Sequence, residues 1–221
     1  MKLGMDMRPQ LVIFDVDGTL LDTEARWKEA WETIGAKYNA PELGTDLFYK
    51  LIGKSGKEEL LFIENYLNER NLPTSILNEA TAYGLQLLSE RIDVKPGVFE
   101  FLDYLKQQHI PMAVATATNR DATMERLTRC GLISYFDYIL CGDQVKNRKP
   151  HPETYLKVLA HFNMNPKNTL VLEDSLVGVE AAYKAGTICI MIPDLIAATS
   201  TQETQTLAIV ETMHDVLKMM G

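Results

Sequence analysis

The chain has 221 residues, of which 46% are hydrophobic and 24% charged, and its formal net charge is −8 at pH 7. This composition is ordinary for a globular protein, and the acidic balance disfavours nonspecific nucleic-acid binding, which needs a basic surface. No apolar run is long enough to span a membrane, and the N-terminal segment lacks the apolar stretch of a signal peptide. We therefore expect a cytoplasmic protein without a nucleic-acid or membrane partner.

Short apolar runs alternate with helical patterns along most of the chain. The continuous apolar character of buried parallel strands is found at residues 11–15, 111–116, 138–141, 169–172 and 187–192. Helices are predicted between them, among others at residues 120–130, 152–162 and 176–185. Strands that alternate with helices favour an α/β fold, in which right-handed crossovers produce a doubly wound parallel sheet with helices on both faces.

The segment 23–92 interrupts this alternation. It contains helical patterns and no convincing strand; Trp27, Trp31 and Ile34, for example, share one helical face. The sequence therefore predicts two domains. Residues 1–22 and 93–221 form an α/β core catalytic domain, and residues 23–92 form an inserted α-helical cap domain over the end of the first strand.

Polar side chains stand at the predicted carboxyl ends of the strands, where open α/β sheets place their sites. In chain order the residues at these ends are Asp15 and Asp17, then Thr116, Ala117, Thr118 and Asn119, then Lys149, and finally Glu173 and Asp174. Four carboxylates cannot be buried together uncompensated, because burying like charges is unfavourable. A divalent cation would compensate them, and oxygen ligands favour Mg²⁺ over zinc. We therefore predict a magnesium site.

The pair Asp15 and Asp17 in LVIFDVDGTL suggests a division of chemical roles. One carboxylate can act as a nucleophile that forms a covalent intermediate. The other can protonate a leaving oxygen and later activate water. Gly18 would let the backbone turn and bring amide groups near an anion.

Two other motif assignments fail on spacing. Read as an EF-hand loop from Asp15, the sequence has Leu20 at position six and Arg26 at position twelve, where Gly and Glu are required. The GKS in IGKSGKE resembles a P-loop, but Phe48 stands where its first glycine should be. Lys54, Ser55 and Lys57 either contact substrate from the cap or only begin a helix.

Four motifs together resemble the haloacid dehalogenase-like hydrolase superfamily. They are FDVDGTLLDTE, TAT, KPHPE and LEDSLVGVEAAYKAG, which occur in this order from Phe14 to Gly186. The resemblance is strongest to the β-phosphoglucomutase-like and sugar-phosphatase branch. It implies a Rossmann-like core and, for an insert at this position, a helical cap.

The resemblance also implies roles for single residues. Asp15 would be the nucleophile that becomes aspartyl-phosphate, Asp17 the general acid and base, and Thr116 a hydrogen-bond donor to the phosphoryl group. Lys149 would balance charge on that group and on Asp15. The expected Mg²⁺ ligands are Asp15, the backbone carbonyl of Asp17, Asp174 and, as a further candidate, Glu173. The expected substrate-binding residues are Gly18, Ala117, Asn119, Trp27 and Lys57.

Within the superfamily, Asp17 argues against a dehalogenase, because dehalogenases lack the second aspartate. Phosphonate hydrolysis, which uses a cap lysine, ranks low. A β-phosphoglucomutase carries a histidine where this chain has Trp27, an arginine where it has Gly56 or Lys57, and a lysine where it has Asn119. Asn119 either caps the following helix or contacts phosphate.

We therefore expect a Mg²⁺-dependent phosphatase that hydrolyses a small phosphorylated metabolite, of the sugar-phosphate type, as a monomer or weak dimer. A mutase of the β-phosphoglucomutase type is the first alternative. The second is a non-enzymatic receiver-like module that carries phosphate on Asp, although receiver domains are shorter and lack a helical insert.

Overall fold

The computed structural model describes residues 8–52, 54 and 56–221. The chain divides into two compact units: an α/β unit, which comprises the residues up to Leu21 together with Asp93–Gly221, and a helical unit, Asp22–Ile92. This division assigns Asp22 to the helical unit, one residue earlier than the predicted boundary. Across the described ranges, no helix is both long enough and apolar enough to cross a membrane.

The α/β unit contains a six-stranded sheet in which all neighbours pair in parallel. Its strands are β1 Leu11–Phe14, β2 Met112–Ala115, β3 Tyr138–Leu140, β4 Thr169–Glu173, β5 Ile188–Met191 and β6 Ala208–Ile209. Their order in the sheet is β3-β2-β1-β4-β5-β6. The predicted doubly wound parallel sheet is confirmed. The sequence missed β6, because two residues are too short a run to carry a strand pattern.

Ten α-helices lie in the described part of the chain. They are α1 Glu24–Lys37, α2 Phe48–Leu51, α3 Lys57–Glu69, α4 Ser75–Glu90, α5 Val98–Gln107, α6 Arg120–Arg129, α7 Glu153–Phe162, α8 Leu176–Lys184, α9 Ser200–Gln205 and α10 Met213–Met220. A π-helical turn covers Leu43–Leu47, and 3₁₀ turns cover Ile133–Tyr135, Gly142–Gln144 and Pro166–Asn168.

The alternation of side chains along β1 explains why helices cover both faces of the sheet. Leu11 and Ile13 are fully buried in a cluster that includes Tyr155 of α7 and Val179 of α8. Phe14 points to the opposite face, because successive strand residues alternate, and its ring meets Phe101 of α5 edge to face at 6.0 Å. The strand is therefore apolar throughout.

The register of β1 brings the polar strand ends together. Phe14 pairs with Val114 of β2 on one side and with Leu172 of β4 on the other. The next residue, Asp15, still donates its amide to the carbonyl of Leu172 at 3.1 Å. Because parallel strands end at the same edge of a sheet, the residues that follow these strands become neighbours.

In the helical unit, α1 packs closely against α4. A Cβ atom at Gly84 of α4 would lie 2.2 Å from Cζ3 of Trp27, so only glycine permits the observed approach. Trp31 and Ile34 of α1 are buried with Ala80 of α4, as the helical pattern of the insert predicts.

Candidate active site

Lys149 lies at the centre of the polar edge of the sheet. Its Nζ is 2.6 Å from Oδ1 of Asp15 and 2.5 Å from Oε1 of Glu173, and it also donates to the carbonyl of Ala115 at 3.0 Å. An ammonium has three donors, and each of these is used. Since only 5% of the Lys149 side chain is exposed, the ion pairs are shielded from solvent. The peptide bond between Lys149 and Pro150 is cis.

Burial and the neighbouring opposite charge shift the pKa values of Asp15 and Lys149 in opposite directions. Burial raises the pKa of Asp15 to about 7, although the Lys149 ammonium opposes the shift. Burial by itself would lower the pKa of Lys149, but attraction to Asp15 and Glu173 outweighs it and holds that pKa above its ordinary value. Lys149 is therefore a fixed positive charge, and Asp15 is a carboxylate whose negative charge needs compensation beyond the lysine.

Glu173, the last residue of β4, is completely buried and accepts hydrogen bonds at both oxygens. Oε1 accepts from Lys149 and from the Tyr155 hydroxyl, the latter at 2.6 Å. Oε2 accepts from the Asp174 amide and from the amide and hydroxyl of Ser175, at 3.2, 3.3 and 3.0 Å. In this geometry Glu173 anchors Lys149, while the metal role predicted for it remains untested.

Asp174 and Gly18 fit against each other. Asp174 is 7% exposed, and its Oδ1 accepts from the Thr19 hydroxyl at 3.0 Å. Gly18 has φ +84°, and a Cβ atom there would lie 2.3 Å from Oδ2 of Asp174. The Gly18 amide donates to the Leu21 carbonyl at 2.8 Å, and a substrate-binding role for Gly18 stays a prediction. Gly18 provides the turn and the space for Asp174.

Asp17 is held by two residues that follow β2. Its Oδ1 is 2.9 Å from Nη1 of Arg126, and its Oδ2 accepts from the Thr118 hydroxyl at 2.6 Å. Asp17 follows β1, two residues after Asp15, and these two contacts direct its carboxylate into the α/β unit. The sequence placed Asp17 at this edge but gave no partner for it.

The three other residues predicted after β2 have different surroundings. Thr116 is 1% exposed, and its hydroxyl accepts from the Thr118 amide at 3.1 Å, which leaves the hydroxyl hydrogen to donate. The Ala117 backbone packs against Gly142, where a Cβ atom would lie 2.0 Å from the Ala117 carbonyl oxygen. Asn119 caps α6, because its Oδ1 accepts from the Ala122 amide at 3.0 Å. The predicted helix cap is thus present, and a contact of Asn119 with phosphate stays a prediction.

The predicted cap residues belong to the helical unit. Trp27 lines a cavity of about 360 Å³ within that unit, together with Trp31 and Lys54. Lys57 is the exposed first residue of α3. Ser55, which the sequence grouped with Lys54 and Lys57, lies outside the described residues. A substrate-binding role for Trp27 or Lys57 stays a prediction.

Asp15, Glu173 and Asp174 form a candidate metal site. Each offers a carboxylate oxygen, these oxygens lie within 4.8 Å of one another, and all three residues are buried. When ionised they carry three negative charges against the single charge of Lys149. Carboxylate oxygens without sulfur or imidazole donors suit a hard cation such as Mg²⁺. The residues therefore fit a divalent cation.

The comparison with known families agrees with the geometry at the strand ends. Residues 12–192 match a sequence model for haloacid dehalogenase-like hydrolases, a range that runs from β1 to the residue after β5. The chain belongs to the haloacid dehalogenase-like hydrolases. The predicted family, and with it the prediction of a hydrolytic enzyme, is confirmed.

The relatives of this haloacid dehalogenase-like hydrolase include named phosphatases. It is 38% identical over 177 residues to a phosphorylated carbohydrates phosphatase of Thermotoga maritima, and the aligned region covers 80% of this chain and 82% of that protein. It is 31% identical over 180 residues to the fructose-1-phosphate phosphatase YqaB of Escherichia coli, which covers 79% and 92%. A solved Thermotoga maritima structure named as a candidate β-phosphoglucomutase has TM-score 0.76 at 35% identity, over 94% of this chain and 98% of that one.

Sequence reasoning missed Arg126 and Tyr155, and it placed Thr118 at the strand end without its contact to Asp17. Arg126 carried a weak signal, because it lies on the same face of α6 as the buried residues Thr123 and Leu127. Tyr155 looks like an ordinary core aromatic in sequence, and it is indeed fully buried. Its hydroxyl contact with Glu173 joins residues 18 positions apart and depends on the packing of α7 against the sheet.

Proposed function

We propose that this hydrolase is a Mg²⁺-dependent phosphatase that hydrolyses a small phosphorylated metabolite, of the sugar-phosphate type, through an aspartyl-phosphate. The observation that carries the proposal is the Asp15 carboxylate held 2.6 Å from a buried Lys149 and beside Asp174. A nucleophilic oxygen, a fixed positive charge and a candidate cation site thus meet at one point. Phosphoryl transfer needs such positioning and charge neutralisation above all.

The first chemical step is transfer of the phosphoryl group to Asp15. One carboxylate oxygen of Asp15 attacks phosphorus, the bond between phosphorus and the leaving oxygen breaks, and Asp17 gives its proton to that oxygen. Lys149 stays beside Asp15 because Glu173 and the Ala115 carbonyl hold its Nζ. Thr116 can donate its hydroxyl hydrogen to a phosphoryl oxygen.

The second step hydrolyses the acyl phosphate. Asp17, now ionised, takes a proton from a water molecule that attacks phosphorus, the bond between phosphorus and Asp15 breaks, and inorganic phosphate leaves. The carboxylate of Asp15 and the proton on Asp17 are thereby restored. Asp15, Asp174 and, in the family pattern, the Asp17 backbone carbonyl would hold Mg²⁺, which would neutralise charge on the phosphoryl oxygens when bound.

The named relatives support the substrate class. The phosphatase at 38% identity is named for phosphorylated carbohydrates, and that at 31% identity for fructose 1-phosphate. An acidic chain can still bind an anionic substrate, because Lys149 supplies local positive charge next to the site of attack.

Phosphate release from a panel of sugar phosphates, glycerol phosphate, phosphoglycolate, nucleotides and pyrophosphate tests the proposal. We expect Mg²⁺-dependent release that chelator abolishes and that Asp15→Asn lacks. Release that persists in Asp15→Asn would contradict the role of Asp15. Absence of release from every compound would contradict the phosphatase assignment.

The structural similarity to a candidate β-phosphoglucomutase keeps a mutase as the second candidate. Conversion of β-glucose 1-phosphate to glucose 6-phosphate, activated by a bisphosphate and without net phosphate release, would favour the mutase. The residues at the compared positions, Trp27, Gly56 and Asn119, support the phosphatase instead, and Asn119 caps α6 here. A lasting aspartyl-phosphate without turnover of any substrate would instead favour a receiver-like role.

A further inference from the structure

Arg126 is a buried cation that the two chemical steps above leave without a role. Its side chain is 9% exposed, and Nη1 reaches Oδ1 of Asp17 across 109 positions of sequence. Burying a guanidinium is unfavourable unless a charged partner compensates it. Three residues later on the same helix, Arg129 has the ordinary surface arrangement, since it is 35% exposed and pairs with Glu125. The burial of Arg126 therefore serves its contact with Asp17.

Thr118 completes the restraint on Asp17 from the other side. Its hydroxyl donates to Oδ2 at 2.6 Å, and its amide donates to the Thr116 hydroxyl at 3.1 Å. Two contacts to the two oxygens of one carboxylate fix the rotation of that group. The segment after β2 thus sets the direction in which Asp17 points.

The contacts of Asp17 with Arg126 and Thr118 differ in charge. A guanidinium only donates hydrogen bonds and carries a fixed positive charge. The Arg126 contact is therefore charge-assisted on both sides, and it holds Oδ1 more strongly than a neutral hydroxyl holds Oδ2.

We propose that Arg126 is a positioning residue: its contact with Oδ1, together with that of Thr118 with Oδ2, fixes the orientation in which the Asp17 carboxylate meets the leaving group. This inference rests on the proposed phosphatase function. Loss of Arg126 lets the carboxylate rotate, and proton delivery to the leaving oxygen fails while attack by Asp15 does not.

The test compares two leaving groups. An alkoxide needs a proton as it departs, whereas p-nitrophenolate departs without one. The measured quantity is kcat/KM, because it covers the steps up to departure of the leaving group and excludes the later hydrolysis. The substrates are p-nitrophenyl phosphate and the best alkyl phosphate of the panel, with Mg²⁺ present throughout.

Arg126→Met should lower kcat/KM for the alkyl phosphate by about 10- to 100-fold. General acid catalysis contributes about 10²–10⁴-fold to a rate, and a small displacement of the acid removes much of that contribution. For p-nitrophenyl phosphate we expect a loss below about threefold, on the same reasoning. Arg126→Lys should recover part of the alkyl phosphate rate, because it keeps the charge. Arg129→Met on the same helix is the matched control and should leave both rates unchanged.

Thermal melting shows whether each variant is folded. If Arg126→Met does not fold, Thr118→Val and Thr118→Ser are compared instead. Thr118→Val should lower kcat/KM for the alkyl phosphate relative to p-nitrophenyl phosphate. Thr118→Ser keeps the hydroxyl and should restore the wild-type ratio of the two kcat/KM values. Equal losses on both substrates, or no loss on either, would overturn the role of Arg126 while the wild type remains an active phosphatase. A wild type that releases no phosphate from any compound would overturn the proposed function itself.

Discussion

Lys149 and Asp15 are 134 positions apart in sequence, yet Nζ of the one lies 2.6 Å from Oδ1 of the other in a pair almost closed to solvent. Glu173 binds the same ammonium at 2.5 Å and has no exposed surface. The lysine is thus the positive charge that makes the burial of two neighbouring carboxylates tolerable.

Replacing Lys149 by methionine should destabilise the protein, because the buried carboxylates of Asp15 and Glu173 would then lose the cation that they share. Removing one partner of a buried ion pair costs about 3–5 kcal/mol. Chemical denaturation would measure the change in the free energy of unfolding. The double variant Lys149→Met with Glu173→Gln should recover part of the loss, and a single variant as stable as wild type would contradict this electrostatic account.

Asp15→Asn should abolish phosphate release without unfolding the protein. The amide cannot attack phosphorus, but it has nearly the same shape, and the acid that it replaces has a pKa raised by burial to about 7. We expect the free energy of unfolding to change by less than about 1 kcal/mol, which corresponds to a shift in melting temperature below about 2–4 °C for a chain of this size. Phosphate assays and thermal melting of the same preparation check both statements, and a collapse of the melting temperature would show that the charge itself is structural.

Added Mg²⁺ should raise the melting temperature of metal-free protein. The buried oxygens of Asp15, Glu173 and Asp174 carry excess negative charge, and a ligand at 100 times its Kd stabilises the folded state by about 2.7 kcal/mol. Sodium chloride at equal ionic strength is the control for screening. Asp174→Asn should lose most of the shift, and an undiminished shift in that variant would place the cation elsewhere.

Asn119→Ala should weaken α6 and leave substrate affinity nearly unchanged. Its carboxamide oxygen bonds the Ala122 amide, and loss of such a cap costs about 0.5–2 kcal/mol. Unfolding experiments together with KM measurements separate stability from binding. Asn119→Ser retains a capping oxygen and should recover most of the stability, whereas a large rise in KM for both variants would restore the phosphate-binding role.

Glu153 should give a pH-dependent contribution to stability. The amides of Lys146 and Asn147 bind its carboxylate and hold its pKa to about 2, below the ordinary value of 4.5. A depressed pKa means that the stabilisation is complete above about 4.5 and disappears as pH falls towards 2. The stability difference between wild type and Glu153→Gln should shrink over this interval. Glu125→Gln, at a surface ion pair, is the control, and a difference independent of pH would contradict the prediction.

The order of elements in the α/β unit followed from local patterns. Five strands were predicted from continuous apolar runs, and each is present with no end shifted by more than one residue. The two-residue strand β6 had no such run, because its pairing with β5 rather than its own sequence makes it a strand. Residues 23–92 read as helical because their apolar positions recur with the helical period.

The candidate site, like the fold, could be predicted only in part from the sequence. Asp15, Asp17, Glu173 and Asp174 could be found because they directly follow or end buried strands, and parallel strands bring their carboxyl ends to one edge. Apart from Lys149, which the family resemblance placed with Asp15, the partners of these carboxylates could not be found. Arg126 and Tyr155 are separated from their carboxylates by 109 and 18 positions, and only the packing of α6 and α7 on the sheet brings them into contact.

The sequence by itself determined the order of strands and helices, the family and the identity of the clustered carboxylates, since each depends on apolar periodicity or on residues close together in the chain. The tertiary structure decided which atoms pair: Lys149 with Asp15 and Glu173, Arg126 with one oxygen of Asp17 and Thr118 with the other. Hydrogen bonds and ion pairs depend on distances of a few tenths of an ångström and on direction. Such distances are fixed only when the helices and the sheet are packed together.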